Sequence, residues 1–425
     1  MLVINGGKSL KGQMSFNGAK NSMQFLVTTA LLTDGVIRLN RVPMIQDIHT
    51  LTQILLDINC DVKLDESNEY MEICSKKIVK SEISAEYGRK VRSCILFVPG
   101  LLHRFGEVTI PRPGGDKIGR RPLDTHFYVI NKLGGHVIEK EDGYTFRATK
   151  LKATKLSLPF PSFTGTGFAM MLAAKIAGIT IIENAAMEPE LEDLACLLRN
   201  MNVKIDGVGT KTIVIEGHET LSGGQWEIMP DRLEVGTYIM AAIASRGEIT
   251  VKASELKQIA YLCDLLSEGG ADFVKDKEFV TISCIDQLRS KSIETNPYPS
   301  FPTDLQPQYM ALMTQSAGNC RIVENLHDDR FLHVPYLRSM GADIEIMGQT
   351  AIVRGVTKLF GNNVVSQDIR GGASLVIAAL AAEGETVIDG FYHIDRGYAN
   401  LYTKLKNMGA NIQVIEPISA SLLEI

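Results

Sequence analysis

The stretch RPGGDKIGRRPLDTH, residues 112–126, places the acid Asp116 after paired glycines and among Arg112, Lys117, Arg120 and Arg121. A carboxyl group can give and take a proton, and clustered cations can hold an anion. Gly-Gly beside charged residues is equally the usual composition of a solvated surface turn. The loop's own residues leave both readings open, so the elements around it have to decide.

Those elements repeat. DINCDV (57–62), KLGGHV (132–137), NMNVKI (200–205), EGGADF (268–273), SMGADI (339–344) and NMGANI (407–412) resemble one another and start 68 to 75 residues apart. That period is too long for a solenoid and suits one small folded module per copy. In each, an amphipathic run such as LYTKLKNMG ends in small or turn-forming residues and passes into an alternating apolar segment, the pattern of helix, cap and strand. Upstream of most copies lies a nearly all-apolar helical run: NSMQFLVTTALL, FAMMLAAKIA, VGTYIMAAIA, QPQYMALMTQ and SLVIAALAA. A helix hydrophobic all round belongs inside a domain, and segments such as ITIIEN, TIVIEG and AIVRGV supply strands. Six mixed α/β modules in two sets of three predict two similar domains facing a shared cleft. The crossing is expected near GHETLSGGQWEI, residues 217–228, with its Gly and Ser content.

Composition agrees with this scale. A chain of 425 residues is too long for one core and fits two domains. With 45% hydrophobic residues, 22% charged residues and a net charge of −5, binding of nucleic acid over the whole surface is excluded, and any basic site must be local. Seven cysteines, at 60, 74, 94, 196, 263, 284 and 320, have no metal-ligand spacing, and their odd number suits reduced thiols in the cytoplasm. No metal or other cofactor is expected. The start, MLVINGGKSL, lacks the pattern of an export signal, and GFAMMLAAKIAGITII is interrupted by Lys175, so neither export nor membrane insertion is expected.

GAKN (18–21), PRPGGDKIGRRPLDTH (111–126), IIENAAMEPE (181–190), PDRLEVGT (230–237), FPTDLQPQ (301–308), DDRFLHV (328–334), DIRGGASL (368–375) and YHIDRGY (392–398) resemble, in order, the motifs of the UDP-N-acetylglucosamine enolpyruvyl transferases. The resemblance runs from Asn5 to about Ile415. It implies an α/β (α+β) fold of two similar domains, each three βαβαββ modules around buried helices, an inside-out α/β barrel. The expected domains are 20–228 and 1–19 plus 229–425, with the N-terminal strand completing the second. The implied reaction adds the acceptor's 3-hydroxyl to C2 of phosphoenolpyruvate and then eliminates phosphate. It calls for cations, a general acid, a general base and a site that excludes water.

Carried over residue by residue, the resemblance assigns Lys20, Arg121 and Arg396 to the donor phosphate, Arg330 and Arg370 to its carboxylate, and Asn21 to both substrates. Asp304 becomes the base at the acceptor hydroxyl. A residue of this type before an apolar helix is also a common N-cap. Arg92, Arg121, Pro122, Leu123, Asp124, Thr125, Ser162, Asp304 and Leu326 fall along the uridine nucleotide, with Asp124 able to accept from the uracil N3–H. His126 reads as a structural hydrogen-bonder. The expected partners are therefore phosphoenolpyruvate and a uridine nucleotide sugar.

At Asp116 the sequence departs from the common pattern, which has cysteine there. Both side chains transfer protons, but a carboxyl's unperturbed pKa lies near 3.9 and a thiol's near 8.5. The expectation is that loop closure over the donor, which neutralises the neighbouring arginines, lets Asp116 act as the acid. Fosfomycin alkylates the family's loop thiol, so this chain is expected to be insensitive to it. Arg120, Lys117 and PSFTGTGF (161–168) are further departures. Transfer to another uridine nucleotide such as UMP, or a non-catalytic sugar-nucleotide-binding role, are the alternatives. A shikimate acceptor fits the RPLDTH loop poorly.

Overall fold

All six repeated segments form the same junction in the computed structural model, which describes residues 1–415. The helices Gln46–Asp57, Asp124–Lys132, Pro189–Asn200, Ala260–Gly269, Val334–Ser339 and Leu401–Asn407 each end one or two residues before a left-handed position. That position is Asn59 (φ 71°), Gly134 (99°), Asn202 (73°), Gly270 (105°), Gly341 (106°) or Gly409 (94°), the third residue of each repeat. Positive φ stops the helix and turns the chain into the following strand, and Asn and Gly are the residues that adopt it at least cost.

The apolar runs become buried helices: Lys20–Thr29, Phe163–Ala174, Arg232–Ala244, Gln306–Met313 and Ile369–Ala381. The sixth counterpart was not evident in the sequence. It is a 3₁₀ turn, Arg92–Phe97, running into the helix Val98–Phe105. Pro99 sits in the helix's first turn, where its missing N–H costs nothing. Gly100 lies so close to Leu31 that an added Cβ would meet the leucine Cβ at 2.3 Å.

Among the described residues, five four-stranded sheets and one three-stranded sheet stand around these helices. Strands distant in sequence close several of them. Leu2–Asn5 lies between Glu385–Asp389 and Asn411–Val414, antiparallel to both, so the N-terminus completes the last module. Lys11–Gln13 adds in parallel to Glu248–Lys252, and Gly224–Glu227 adds in parallel to Val36–Asn40.

Two hydrophobic cores result. One draws on residues from Met23 to Ile228 with Ala399, the other on Leu2 to Phe16 and Leu233 to Ile412. Residues 416–425, counted in the second expected domain, lie outside the described residues. No helix among the described residues is long and apolar enough to cross a membrane.

The six buried helical elements share one orientation toward function. Lys20, Arg92, Ser162, Arg232, Thr303 and Ile369, each within a few residues of the N-terminus of one of them, all line a single cleft. Helix N-termini carry partial positive charge and unpaired N–H groups, so the fold itself favours anions there.

Candidate active site

The cleft is about 640 Å³ and is lined from both cores. Lys20, Asn21, Arg92, Asp116, Arg121, Pro122, Asp124, Thr125, Ser162, Asp304, Leu326, Arg330, Arg370 and Arg396 all face it. The Leu123 side chain does not. It is buried in the first core just before the helix Asp124–Lys132, because an apolar residue at that turn gains more from the core than from a polar cleft.

Asp304 sits in the 3₁₀ turn Thr303–Leu305 that leads into Gln306–Met313. It occupies neither helical N-cap position, those being Pro302 and Leu305. Its carboxylate instead accepts from Arg330 Nη2 at 2.7 Å and from Arg370 Nη2 at 3.3 Å. Burial acts to raise its pKa, but the attraction of Arg370 and Arg330 outweighs burial and holds the group well below the usual carboxylate range. Both arginines are themselves anchored. Arg330 donates to the Thr303 carbonyl, and the Arg370 guanidinium lies over the Tyr398 ring, 5.4 Å from its centroid. Asp368 caps the helix Ile369–Ala381 and also faces Arg330 at 3.8 Å.

Asp116 is held differently. The loop between the strand Glu107–Pro111 and the helix Asp124–Lys132 has no regular structure. Gly115 takes φ 102°, and Gly119 at φ 97° packs against Asp328 and Asp329 across the cleft. Asp116 is 13% exposed, which rules out the solvated turn, and it accepts from Arg396 Nη1 at 3.0 Å. The same arginine's Nε donates to Asp47 at 3.0 Å, and Asp47 receives Lys20 Nζ at 2.8 Å. Lys20, Asp47, Arg396 and Asp116 thus form one chain of alternating charge. Burial pushes Asp47 upward, yet Lys20 and Arg396 together hold it below the carboxylate range. Ile118 is buried, its carbonyl accepts from Asp329 N–H at 3.4 Å, and the exposed Arg120 reaches Asp328 at 3.2 Å.

Arg121 has no ion-pair partner within 4.0 Å among the described residues, although Asp116, Asp304, Arg330 and Arg396 all act on it. Burial and the two like charges lower its pKa despite the two carboxylates. The Nη1 of Arg370 is buried and unbonded. Arg121 and the Nη1 edge of Arg370 are therefore available to an anion, while Lys20, Arg330 and Arg396 are held in ion pairs. Arg92 is engaged with the loop: its Nη2 donates to the carbonyls of Arg121 and Pro122, the latter at 3.1 Å, and burial beside Arg121 lowers it to about 10. Ser162 caps Phe163–Ala174 by accepting from Gly165 N–H at 3.2 Å. Gly165 in turn gives Thr125 room, since an added Cβ would meet its Cγ2 at 2.6 Å. His126 is buried and packs edge-on to Phe168, but neither ring nitrogen has a hydrogen-bond partner among the described residues, so it fills core space rather than acting as the expected hydrogen-bonder, and burial lowers its pKa to about 3.

Asp47, Asp231, Glu188 and Arg232 escaped the sequence reading. Asp231 caps Arg232–Ala244 and accepts from the Lys20 N–H at 3.1 Å, which fixes the head of Lys20–Thr29. Its cap position was legible in PDRLEV, but its partner was not. Asp47, in MIQDIHT, carries no local signal at all. Among the described residues no group of three or more His, Cys, Asp or Glu is arranged to hold a metal ion.

A family model described as EPSP synthase (3-phosphoshikimate 1-carboxyvinyltransferase) matches residues 4–416. The chain belongs to this enolpyruvyl transferase family. Among relatives of the transferase, the UDP-N-acetylglucosamine 1-carboxyvinyltransferase of Thermodesulfovibrio yellowstonii is 41% identical over 98% of this chain and 99% of its own. A protein of Caldanaerobacter subterraneus called UDP-N-acetylglucosamine 1-carboxyvinyltransferase 2 is 39% identical over 96% and 98%. Solved structures share the transferase's fold: the enolpyruvyl transferase NikO of Streptomyces tendae superimposes with a TM-score of 0.88 at 22% identity, covering 97% and 98%. EPSP synthase of Acinetobacter baumannii gives 0.74 at 16%, covering 98% and 99%.

Proposed function

We propose that this enzyme moves the enolpyruvyl group of phosphoenolpyruvate to the 3-hydroxyl of UDP-N-acetylglucosamine, releasing phosphate, the first committed step of peptidoglycan precursor synthesis. Near-full-length relatives of about 40% identity carry that name. The observation that carries the reading is the meeting, in one cleft, of Asp304 between two buried arginines and Asp116 on a loop from the other core.

Lys20, Arg121 and Arg396 take the donor phosphate, and Arg330 and Arg370 take its carboxylate. The donor phosphate competes with Asp116 for Arg396, which releases the Asp116 carboxyl to carry the proton. Asp116 then protonates the methylene carbon, C2 becomes oxocarbenium-like, and the acceptor oxygen attacks C2 as its proton passes to Asp304. Because its arginines make Asp304 a weak base, proton removal is concerted with attack. Loss of a proton from the new methyl group and of phosphate from C2 restores the double bond. Asn21, Arg92, Arg121, Pro122, Asp124, Thr125, Ser162, Asp304 and Leu326 form the nucleotide side, and Leu123 contributes through its backbone. The working units are two domains, 20–228 and 1–19 with 229–425, that close the loop between them.

The test is incubation with phosphoenolpyruvate and UDP-N-acetylglucosamine, following phosphate and the product's mass. The expected product is the nucleotide sugar plus one enolpyruvyl group. Phosphate release with UMP and none with UDP-N-acetylglucosamine would overturn the acceptor.

A further inference from the structure

Glu188 is a cleft carboxyl to which the proposed reaction gives no task. It immediately precedes the helix Pro189–Asn200, which packs beside Lys20–Thr29, with the Ser22 hydroxyl bonded to Asp193. The two helices open onto the cleft together, with Asn21 and Glu188 at their cleft ends. The Oε2 of Glu188 is buried and has no polar partner among the described residues.

The charges around it explain why. Arg232, at the head of Arg232–Ala244, is the cation that acts on it, but Arg232 Nε donates to Glu190 at 3.0 Å and the guanidinium lies over Tyr298. Glu190, in the first turn of Pro189–Asn200, adds a like charge. Lys20, at the head of the neighbouring helix, is held by Asp47. Asp193, one turn further along, is bound by Ser22 and Trp226. The helix Phe163–Ala174, packed on the other side, carries no titratable residue. Burial therefore prevails and raises Glu188 to about 7. A neutral carboxyl is both an O–H donor and an acceptor, suited to a neutral polar group. Ionised, it would repel both the donor and a diphosphate.

We propose that Glu188 is an acceptor-binding residue whose protonated carboxyl hydrogen-bonds a hydroxyl or amide of the nucleotide's sugar. This rests on the uridine diphosphate sugar reading given above. Acceptor affinity then falls as pH rises through the neutral range. His327, also in the cleft, is lowered to about 4 by burial and Arg330, and stays neutral across that window. If only the neutral form of Glu188 binds, the competent fraction drops from about nine-tenths at pH 6 to about one-tenth at pH 8, a change of roughly tenfold.

Calorimetric titration of UDP-N-acetylglucosamine into the full chain at pH 6, 7 and 8 tests this for wild type, Glu188→Gln and Glu188→Ala. Wild type should weaken about tenfold over the range. Glu188→Gln, which keeps a donor and the shape, should bind with nearly constant affinity, and Glu188→Ala should bind more weakly than Gln at pH 6. A wild-type affinity that is level from pH 6 to 8, or a Gln variant that keeps the wild-type slope, would overturn the proposal alone. A wild type that binds no UDP-N-acetylglucosamine at any pH, yet releases phosphate with another uridine nucleotide, would overturn the acceptor reading and this inference with it.

Discussion

Asp304 and Asp116 lie in one cleft, but the protein holds them by opposite means. Asp304 is fixed between two buried arginines of its own core, each tied to a backbone carbonyl or an aromatic ring. Asp116 is delivered by an irregular loop of the other core and held by one arginine from across the cleft. The difference teaches a division of labour. A base that only needs to receive a proton as its substrate attacks can be frozen in place. An acid that must gain a proton, lose it and recover it needs a partner it can exchange, and Arg396 is shared between Asp47, Asp116 and, in the proposed reaction, the donor.

Replacing either carboxylate by its amide should break chemistry but only one should disturb the fold. Asp304→Asn and Asp116→Asn are each expected to lower turnover by roughly 10² to 10⁴ under saturating substrates. Asp304→Asn should also lose about 2 kcal/mol of stability in thermal or urea unfolding, because Arg330 and Arg370 lose their counter-charge, whereas Asp116→Asn should unfold like wild type. Near-normal turnover of Asp116→Asn would leave the loop without its acid role. Stability should also respond to acid. The folded-state pKa of Asp304 lies below its unfolded value, so its pairing stabilises the protein at neutral pH and is lost as pH falls through and below the carboxylate range. A melting curve against pH should show a shallower acid decline in Asp304→Asn.

Asp116→Cys sharpens the contrast at the loop. A thiolate is a strong soft nucleophile and a carboxylate a poor one toward an epoxide. Wild type should keep its activity in fosfomycin, while the Cys variant should turn over and be inactivated with a covalent adduct seen by mass spectrometry. Inactivation of wild type would contradict the reading. Arg396→Ala comes next in size: it should raise the donor KM by about 10- to 100-fold through loss of charge-assisted contacts. Nucleotide affinity measured by calorimetry should change far less, and equal losses for both ligands would sink the assignment. The smallest effect is expected at Arg120, whose pair with Asp328 is exposed and worth under about 1 kcal/mol. Nucleotide should protect the 111–122 loop from proteolysis, and Arg120→Ala should reduce that protection by only about twofold to fivefold.

The modules were legible because their signals are local. A period of 3.6 or 2 residues, and Asn or Gly where the chain must turn left-handed, depend on neighbours a few residues away. The same locality explains the failures. Pro99 and Gly100 interrupt the apolar pattern of Val98–Phe105, yet its first turn accepts the proline and Leu31 requires the glycine. The motif containing Asp304 suits an N-cap as well as a base, and only the fold placed it inside the turn rather than at a cap and brought Arg330 and Arg370, 26 and 66 residues away, onto its carboxylate.

The residues themselves therefore determined six modules, two cores' worth of buried helices and, through a family resemblance, most of the cleft's polar lining. Tertiary structure alone decided that Leu123 turns inward, that Asp47 bridges Lys20 to an arginine 349 residues away, and that Oε2 of the half-buried Glu188 is left without a partner. The reason is physical. Periodicity records which face of an element is buried, whereas the charge state and partner of a buried polar group depend on burial and on other charges within a few ångströms, and those arrive from distant parts of the chain only when the two cores meet.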